Sequence, residues 1–190
     1  MKIGISSEGY TAGKTSLARY LASRLGGRVI NFATPIKLAV ASILSQLPQY
    51  EYVYDPDADE VFIYDDQQVV NISKSDIIPE LGVTLRYLYQ TLGTEWGRDL
   101  VNNDIWVKIA QLRGGDSSVI IIPDYRFPNE HIFDLTIRLV GRGTADTHAS
   151  ECQVLPQPDF TYVNDGSLDD LYRFGDQIVE YIGSLEDASH

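Results

Sequence analysis

Apolar positions along this chain change period in a regular way, and the change predicts strands alternating with helices. Lys2-Ile3-Gly4-Ile5-Ser6 is short, β-branched and apolar, as a buried strand is. Leu17, Ala18, Leu21, Ala22 and Leu25 then recur at helical spacing until Gly26-Gly27, a natural helix stop. Arg28-Val29-Ile30-Asn31-Phe32 reads as a second strand, and Thr34 as cap with Pro35 in the first turn opens a helix carried by Leu38, Ala39, Ile43, Leu44 and Leu47. Ser118-Val119-Ile120-Ile121-Ile122 is the most strand-like run of all, and its unbroken apolarity predicts a central strand buried on both faces. Thr136-Ile137-Arg138-Leu139-Val140 is another strand, and Phe160-Thr161-Tyr162-Val163 a short extended piece before the turn Asn164-Asp165-Gly166. Ser167 then starts a closing helix with Leu168, Leu171, Phe174, Ile178 and Ile182, and the tail beyond Gly183 is expected to fray. Such alternation implies an α/β fold in three layers: a central, mostly parallel sheet with right-handed crossovers and helices on both faces.

Residues 48 to 80 break this rhythm. They hold Glu51, Asp55, Asp57, Asp59, Glu60, Asp65, Asp66, Asp76 and Glu80 against only Lys74. Val61-Phe62-Ile63-Tyr64 and Gln68-Val69-Val70-Asn71-Ile72, joined by Asp65-Asp66-Gln67, predict a hairpin. The expectation is an acidic insertion at the edge of the sheet, acting as a solvated flap or a contact between two copies because carboxylates do not attract nucleotides, with a direct role toward the substrate as the alternative. The next stretch, Thr84 to Arg98, is dense in large polar and aromatic groups. Leu85, Leu88 and Leu92 form its buried stripe, so that Arg86, Tyr89, Gln90 and Trp96 point elsewhere. Asp104 caps a further helix bearing Ile105, Trp106, Ile109 and Leu112, in which Trp106 is expected in the core.

With 190 residues and 44% hydrophobic content, the chain is long enough for one domain with a real core, read here as a single domain over 1–190 with 48–80 as an insertion on the acceptor side. No run of roughly 18 apolar residues exists, and the first strand follows Met1 directly, so the expectation is a cytoplasmic protein with no membrane partner. The one cysteine, Cys152, has no partner for an internal disulfide and is expected to be a packing residue, and three histidines do not make a Cys/His metal cage. A net charge of −12 argues against binding duplex nucleic acid, which needs a basic surface. It also means that arginines gathered near one motif are there to meet an anion.

The motif in question lies between the first strand and the first helix: Ser7-Glu8-Gly9-Tyr10-Thr11-Ala12-Gly13-Lys14-Thr15-Ser16. A glycine-bearing turn that opens a helix after a strand cradles phosphates with backbone N–H groups, its lysine reaching the β and γ oxygens and the next hydroxyl able to ligate Mg²⁺. The ATP-binding candidates are therefore Gly9, Tyr10, Thr11, Ala12, Gly13, Lys14, Thr15 and Ser16. The regular pattern has glycine where this chain has Glu8, and the Glu8 carboxylate is expected to turn outward. Asp124 and Arg126 directly follow the 118–122 strand, and ligands of open α/β sheets bind at strand carboxyl ends, which makes Asp124 a candidate for holding Mg²⁺ water or a substrate hydroxyl. Residues 142 to 151, glycine-bearing and polar, have the character of a lid, with Arg142 at its hinge able to reach a transferring phosphoryl group and His148 in a structural role. Trp96, between glycines, is the better aromatic for stacking on a base.

Taken in order, the phosphate loop, Phe32-Ala33-Thr34-Pro35-Ile36-Lys37, the Arg86–Arg98 segment with Leu92-Gly93-Thr94-Glu95, the Asp104/Trp106 pair, Asp124-Tyr125-Arg126-Phe127-Pro128-Asn129-Glu130, His148-Ala149-Ser150-Glu151 and Asn164-Asp165-Gly166 resemble the bacteriophage deoxynucleoside monophosphate kinases over nearly the whole chain. The resemblance implies a P-loop kinase fold that moves the γ-phosphoryl of ATP, with Mg²⁺, onto a deoxynucleoside 5′-monophosphate. By the same likeness Lys14, Arg126, Arg142 and Asp124 carry catalysis, while Lys37, Arg86, Gln90, Trp96, Arg98 and Asp124 face the acceptor nucleotide. Thr15 and Asp124 would serve the metal, ATP and dNMP would be the partners, a homodimer is allowed, and a phage-encoded chain would work in the host cytoplasm. Two departures stand out: many members read Gly-Lys-Asp-Thr where this chain has Gly13-Lys14-Thr15-Ser16, and the hairpin from Tyr50 to Ile72 has no family role to carry over. Two other functions fit the same residues: a dephospho-coenzyme A kinase or another small-metabolite kinase, and a nucleotide-gated binding protein that signals through the acidic hairpin.

Overall fold

Isoleucine and valine runs pair best where both faces of a sheet are covered, and here they build a five-stranded, all-parallel sheet. The computed structural model describes residues 1–8, 13–67, 70–141 and 154–187. The sheet strands are β1 (Lys2–Glu8), β2 (Arg28–Val29), β8 (Ile120–Ile122), β9 (Leu135–Gly141) and β10 (Phe160–Asn164), in the order β10-β9-β1-β8-β2. The architecture is the expected three-layer α/β class of P-loop kinases, with helices on both sides of the sheet. The 118–122 run is interior and buried on both faces as expected, although β1 takes the middle place. The second strand is shorter than its sequence suggests: after one more backbone bond, Ile30 N–H to the Ile121 carbonyl at 2.9 Å, the chain leaves the sheet.

The described residues group into two compact units. The first, residues 1–30 and 114–190, contains the sheet, helix α1 (Lys14–Leu25) and helix α5 (Leu168–Asp187). Ile3, Ile5, Ile121, Ile137 and Leu139 from the strands meet Leu17 and Leu21 of α1 and Leu171, Phe174 and Ile178 of α5 in one core. Gly26 ends α1 in the left-handed region at φ 62°, a conformation open to glycine without a Cβ clash. Ser167 and Asp170 open α5 reciprocally, Asp170 N–H donating to Ser167 Oγ at 3.2 Å and Ser167 N–H to Asp170 Oδ2 at 2.8 Å. This helix does not stop near Gly183 but runs to Asp187.

The second unit, residues 31–113, holds α2 (Thr34–Leu44), the strands β3 (Tyr50–Asp55), β4 (Glu60–Asp65) and β5 (Val70–Asn71), the pair β6 (Ile77–Ile78) and β7 (Val83–Thr84), α3 (Leu85–Gln90), an eleven-residue π-helix (Thr91–Val101) and α4, which starts at Ile105 directly after Asp104. The hairpin expected within 61–72 is present as β4 and β5, but it is neither a solvated flap nor an extension of the central sheet. With β3 it forms a sheet of its own, and Tyr50, Val61 and Ile63 bury against Val40, Ala41 and Leu44 of α2 together with Ile78 and Leu85. The sequence reading followed the sign of the charges and passed over the alternation of β4, whose Val61 and Ile63 point inward between acidic and aromatic neighbours.

In the π-helix, close contact explains the glycines. The Gly93 carbonyl accepts a 2.7 Å hydrogen bond from the indole N–H of Trp106, which is core as expected, and a Cβ at Gly97 would lie 2.5 Å from the same indole. Gly97→Ala is therefore expected to cost about 1–3 kcal/mol through overpacking. A lowered urea midpoint at unchanged slope checks this, and an unchanged midpoint would show that the indole yields without penalty.

Candidate functional site

The described phosphate-loop candidates belong to the first unit. Strand β1 is flanked by β8 and β9, so the chain's crossovers leave β1 on opposite sides, and its carboxyl end is the topological switch point where open α/β sheets bind ligands. Gly13 sits just past that end at φ 87°, a left-handed conformation that L side chains rarely adopt, and a Cβ there would also lie 2.8 Å from Asn164 Nδ2 and 2.9 Å from Leu171 Cδ2. No side chain caps α1, whose first-turn N–H groups follow from Lys14, Thr15 and Ser16. The Lys14 ammonium donates to the hydroxyl of Ser7 on β1. Gly9, Tyr10, Thr11 and Ala12 lie outside the described residues, as do the orientation of the Glu8 side chain, Arg142 with the lid stretch and His148, and Cys152.

Asp124 and Arg126 follow β8, and because Ile122 pairs with Gly4, they leave the sheet at the same edge as Ser6 and Ser7 of β1. A carboxylate fixes this turn. Glu130 is 2% exposed, and its Oε2 accepts from the backbone N–H of Arg126 at 2.8 Å and of Phe127 at 2.9 Å, within a short 3₁₀ turn that Pro128 begins. Tyr125 is buried beside them, its hydroxyl 3.1 Å from His131 Nδ1 and its ring edge-on to Phe133, and burial pushes its phenol up. Sequence reasoning quoted Glu130 within a motif without seeing that it organises the loop. Its spacing after Phe127-Pro128, an acid at the third position of a proline-started turn, was the available signal.

The acceptor candidates belong to the second unit. Lys37 on α2 forms an ion pair with Glu60 on β4, the two side chains only 12% and 25% exposed. Arg86 and Gln90 stand half-buried on α3, whose start Thr84 caps by accepting the Tyr87 N–H at 3.1 Å. Trp96 and Arg98 lie in the π-helix: Trp96 is 47% exposed with its ring 6.5 Å from that of Trp106, and the Arg98 guanidinium donates to the Asn103 carbonyl at 3.4 Å. Burial first, and then the charge of Glu60, pushes the Tyr89 phenol up to about 12.

A feature that sequence reasoning missed lies at the turn between β3 and β4. Asp59 is 1% exposed, takes φ 52° and ties the hairpin to the start of α2. Its carboxylate accepts from Asn31 N–H at 2.6 Å, from Tyr54 Oη at 2.6 Å and from both arms of the Arg113 guanidinium, one of them at 2.9 Å. Its carbonyl accepts from Asn31 Nδ2 at 2.8 Å and from the Thr34 hydroxyl. Thr34 therefore does not cap its helix, as its position before Pro35 suggested: Ala33 is the cap residue, and the hydroxyl serves the hairpin instead. Burial disfavours the Arg113 charge, but the hydrogen bonds and charge of Asp59 outweigh it and raise the guanidinium pKa. One acid among nine in the stretch carried no local mark of this role.

Sheet order, switch point and glycine-lysine helix start together match the three-layer α/β fold of P-loop kinases. No protein-family model matches the chain. It is 34% identical over 89 residues to the deoxynucleoside-5′-monophosphate kinase of Escherichia phage T5, a match covering 46% of this chain and 35% of that protein. It is 26% identical over 190 residues to a protein of Acanthamoeba polyphaga mimivirus provisionally named deoxynucleotide monophosphate kinase, covering 86% of this chain and 89% of that one. The resemblance read from the motifs therefore holds at the level of these two matches, each to a protein that bears a deoxynucleotide monophosphate kinase name. Among the described residues no helix is long and apolar enough to cross a membrane.

Breaking the buried Asp59–Arg113 pair from one side should be costly. Asp59→Ala leaves a partly buried guanidinium and the Asn31 N–H without their acceptor, and about 3–5 kcal/mol of stability is expected to go. Chemical denaturation checks this, and a loss under about 1 kcal/mol, the level of an exposed pair, would show that the network contributes little.

Proposed function

We propose that this chain is a deoxynucleoside monophosphate kinase: it transfers the γ-phosphoryl group of ATP to the 5′-phosphate of a dNMP, giving ADP and a dNDP. The observation that carries the reading is the left-handed Gly13 followed by Lys14 at the carboxyl end of β1, in a chain whose relatives bear that kinase name.

Two anions must react, and the attacking oxygen of the acceptor phosphate is already ionised, so no general base is required. Catalysis then consists of positioning and of neutralising the charge that spreads over the transferring phosphoryl group. In this reading backbone N–H groups around Gly13 and at the start of α1 bind phosphate oxygens, and Lys14 exchanges the neutral Ser7 hydroxyl for the β and γ oxygens. Arg126, on a turn pinned by Glu130, and Arg142 add positive charge at the reacting group. Arg86 and Arg98 hold the acceptor phosphate, Gln90 and Trp96 its base, and Lys37 acts on that side through its ion pair with Glu60.

The Thr15 hydroxyl and the Asp124 carboxylate would hold Mg²⁺, which offsets phosphate charge when bound. Among the described residues no group of three or more acidic, histidine or cysteine side chains forms a cage, and a magnesium ion bound mainly through phosphate oxygens and water needs none.

A coupled assay of ADP formation tests the proposal. With ATP and Mg²⁺, the four dNMPs and their ribose counterparts are offered one at a time, alongside dephospho-coenzyme A and a sample without acceptor. ADP formation that depends on a dNMP is expected. Dependence on another acceptor, or release of ADP with none, would replace this reading with a different kinase or with a slow nucleotide switch. Lys14→Ala should lower turnover by about 10³-fold or more while the melting temperature stays near that of the wild type. Near-normal activity in that variant would take the phosphate loop out of the mechanism.

A further inference from the structure

Every fourth residue from Leu85 lies on the inner side of α3 and of the π-helix that continues it: Leu85 is buried, Tyr89 packs half-buried against the core of the second unit, and Gly93 and Gly97 are buried. An α-helix does not keep such a row straight, because each step of four residues overshoots a turn by about 40° and three steps by about 120°. A π-helix closes i→i+5 bonds, of which Asn102 N–H to the Gly97 carbonyl at 2.9 Å is one, and at about 4.4 residues per turn each step of four falls short by about 30°. One α step and two π steps therefore nearly cancel. The row one residue further on is straight for the same reason, and it consists of Arg86, Gln90, Thr94 and Arg98. With the α period throughout, Arg98 would stand about a third of a turn away from Arg86. With the winding present, it comes back to within about 30° of it.

Trp106 holds that winding. Its indole N–H donates to the Gly93 carbonyl at 2.7 Å, and its ring fills the space that a Cβ on Gly97 would need, 2.5 Å from that position. π-helical turns are rare and mostly single, so eleven residues of them need support from outside the helix, and a buried tryptophan on α4 supplies it. We infer that Trp106 is a positioning residue for the acceptor site: seated on Gly93 and Gly97, it keeps Arg98 in line with Arg86 and Gln90, so that two guanidinium groups on one stripe meet a single phosphate. This role rests on the kinase reading above, in which Arg86 and Arg98 hold the acceptor phosphate, and names the group on which their alignment depends.

A double-mutant cycle tests it, with dNMP binding measured by calorimetry without ATP and KM for each substrate by the coupled assay. In the wild type, Arg98→Ala is expected to weaken dNMP binding by about 10- to 100-fold, the range for a hydrogen bond to a charged group. In the Trp106→Phe background, which keeps a ring but loses the N–H, the same substitution should cost less than about threefold, while Arg86→Ala, in the α-helical turn before the π-helix, keeps its full effect. KM for ATP should change by less than about twofold in Trp106→Phe. Gly97→Ala, whose expected cost leaves the protein folded, repeats the cycle with the same loss of coupling should Trp106→Phe fail to fold. A purely structural tryptophan would lower the melting temperature and leave the factor for Arg98→Ala equal in both backgrounds. That result would overturn the inference, as would an Arg98→Ala variant that binds dNMP as the wild type does. Either leaves the kinase standing, whereas a wild type that neither binds nor phosphorylates any dNMP would remove both.

Discussion

Parallel pairing on both sides of β1 is the constraint from which the rest follows. Ile3 to Glu8 pair residue for residue with Leu135 to Val140, and Lys2 to Gly4 with Ile120 to Ile122, so three strands end at one edge with their turns side by side. A parallel strand cannot return through a tight turn, and each crossover must travel the length of the sheet. The residues that leave that edge, Gly13 and Lys14 after β1 and Asp124 and Arg126 after β8, are therefore neighbours by topology though more than a hundred positions apart in sequence. Buried isoleucines at positions 3, 5, 121 and 137 fix the register, because a slip of one residue would turn every side chain to the other face.

What could be read from the sequence was what is local. The glycine-bearing helix start at Gly13, the stop at Gly26, the proline in the first turn of α2 and the Ser167 start of α5 are each set by a few adjacent residues, and the structure has all of them. The helix start at Gly13 and Lys14 was legible for the same reason, since one contiguous segment carries it. The Asp59 network was not. Asp59 gains its role from Asn31, Tyr54 and Arg113, and nothing in Asp57-Ala58-Asp59-Glu60 distinguishes a hub from a solvated acid. The π-helix was hidden by its period: Leu85, Leu88 and Leu92 fit an α-helical stripe, and the widened turns after Gln90 come from the seat that Trp106 takes against Gly93 and Gly97.

The acidic composition looks different once the carboxylates are placed. In a chain of net charge −12, acids near any anion site need to be occupied or turned away, or they would oppose the ligand. Several are occupied. Asp59 takes Arg113, Glu60 takes Lys37, Glu80 accepts from Gln49 and Tyr50, and Glu130 takes two backbone N–H groups. In each case the acid holds a backbone turn or a second side chain in place.

A buried carboxylate is tolerable when its lone pairs find donors, and Asp59 and Glu130 meet that condition deep in the protein. Glu60 meets it through Lys37 on one oxygen, while its other oxygen is open to solvent.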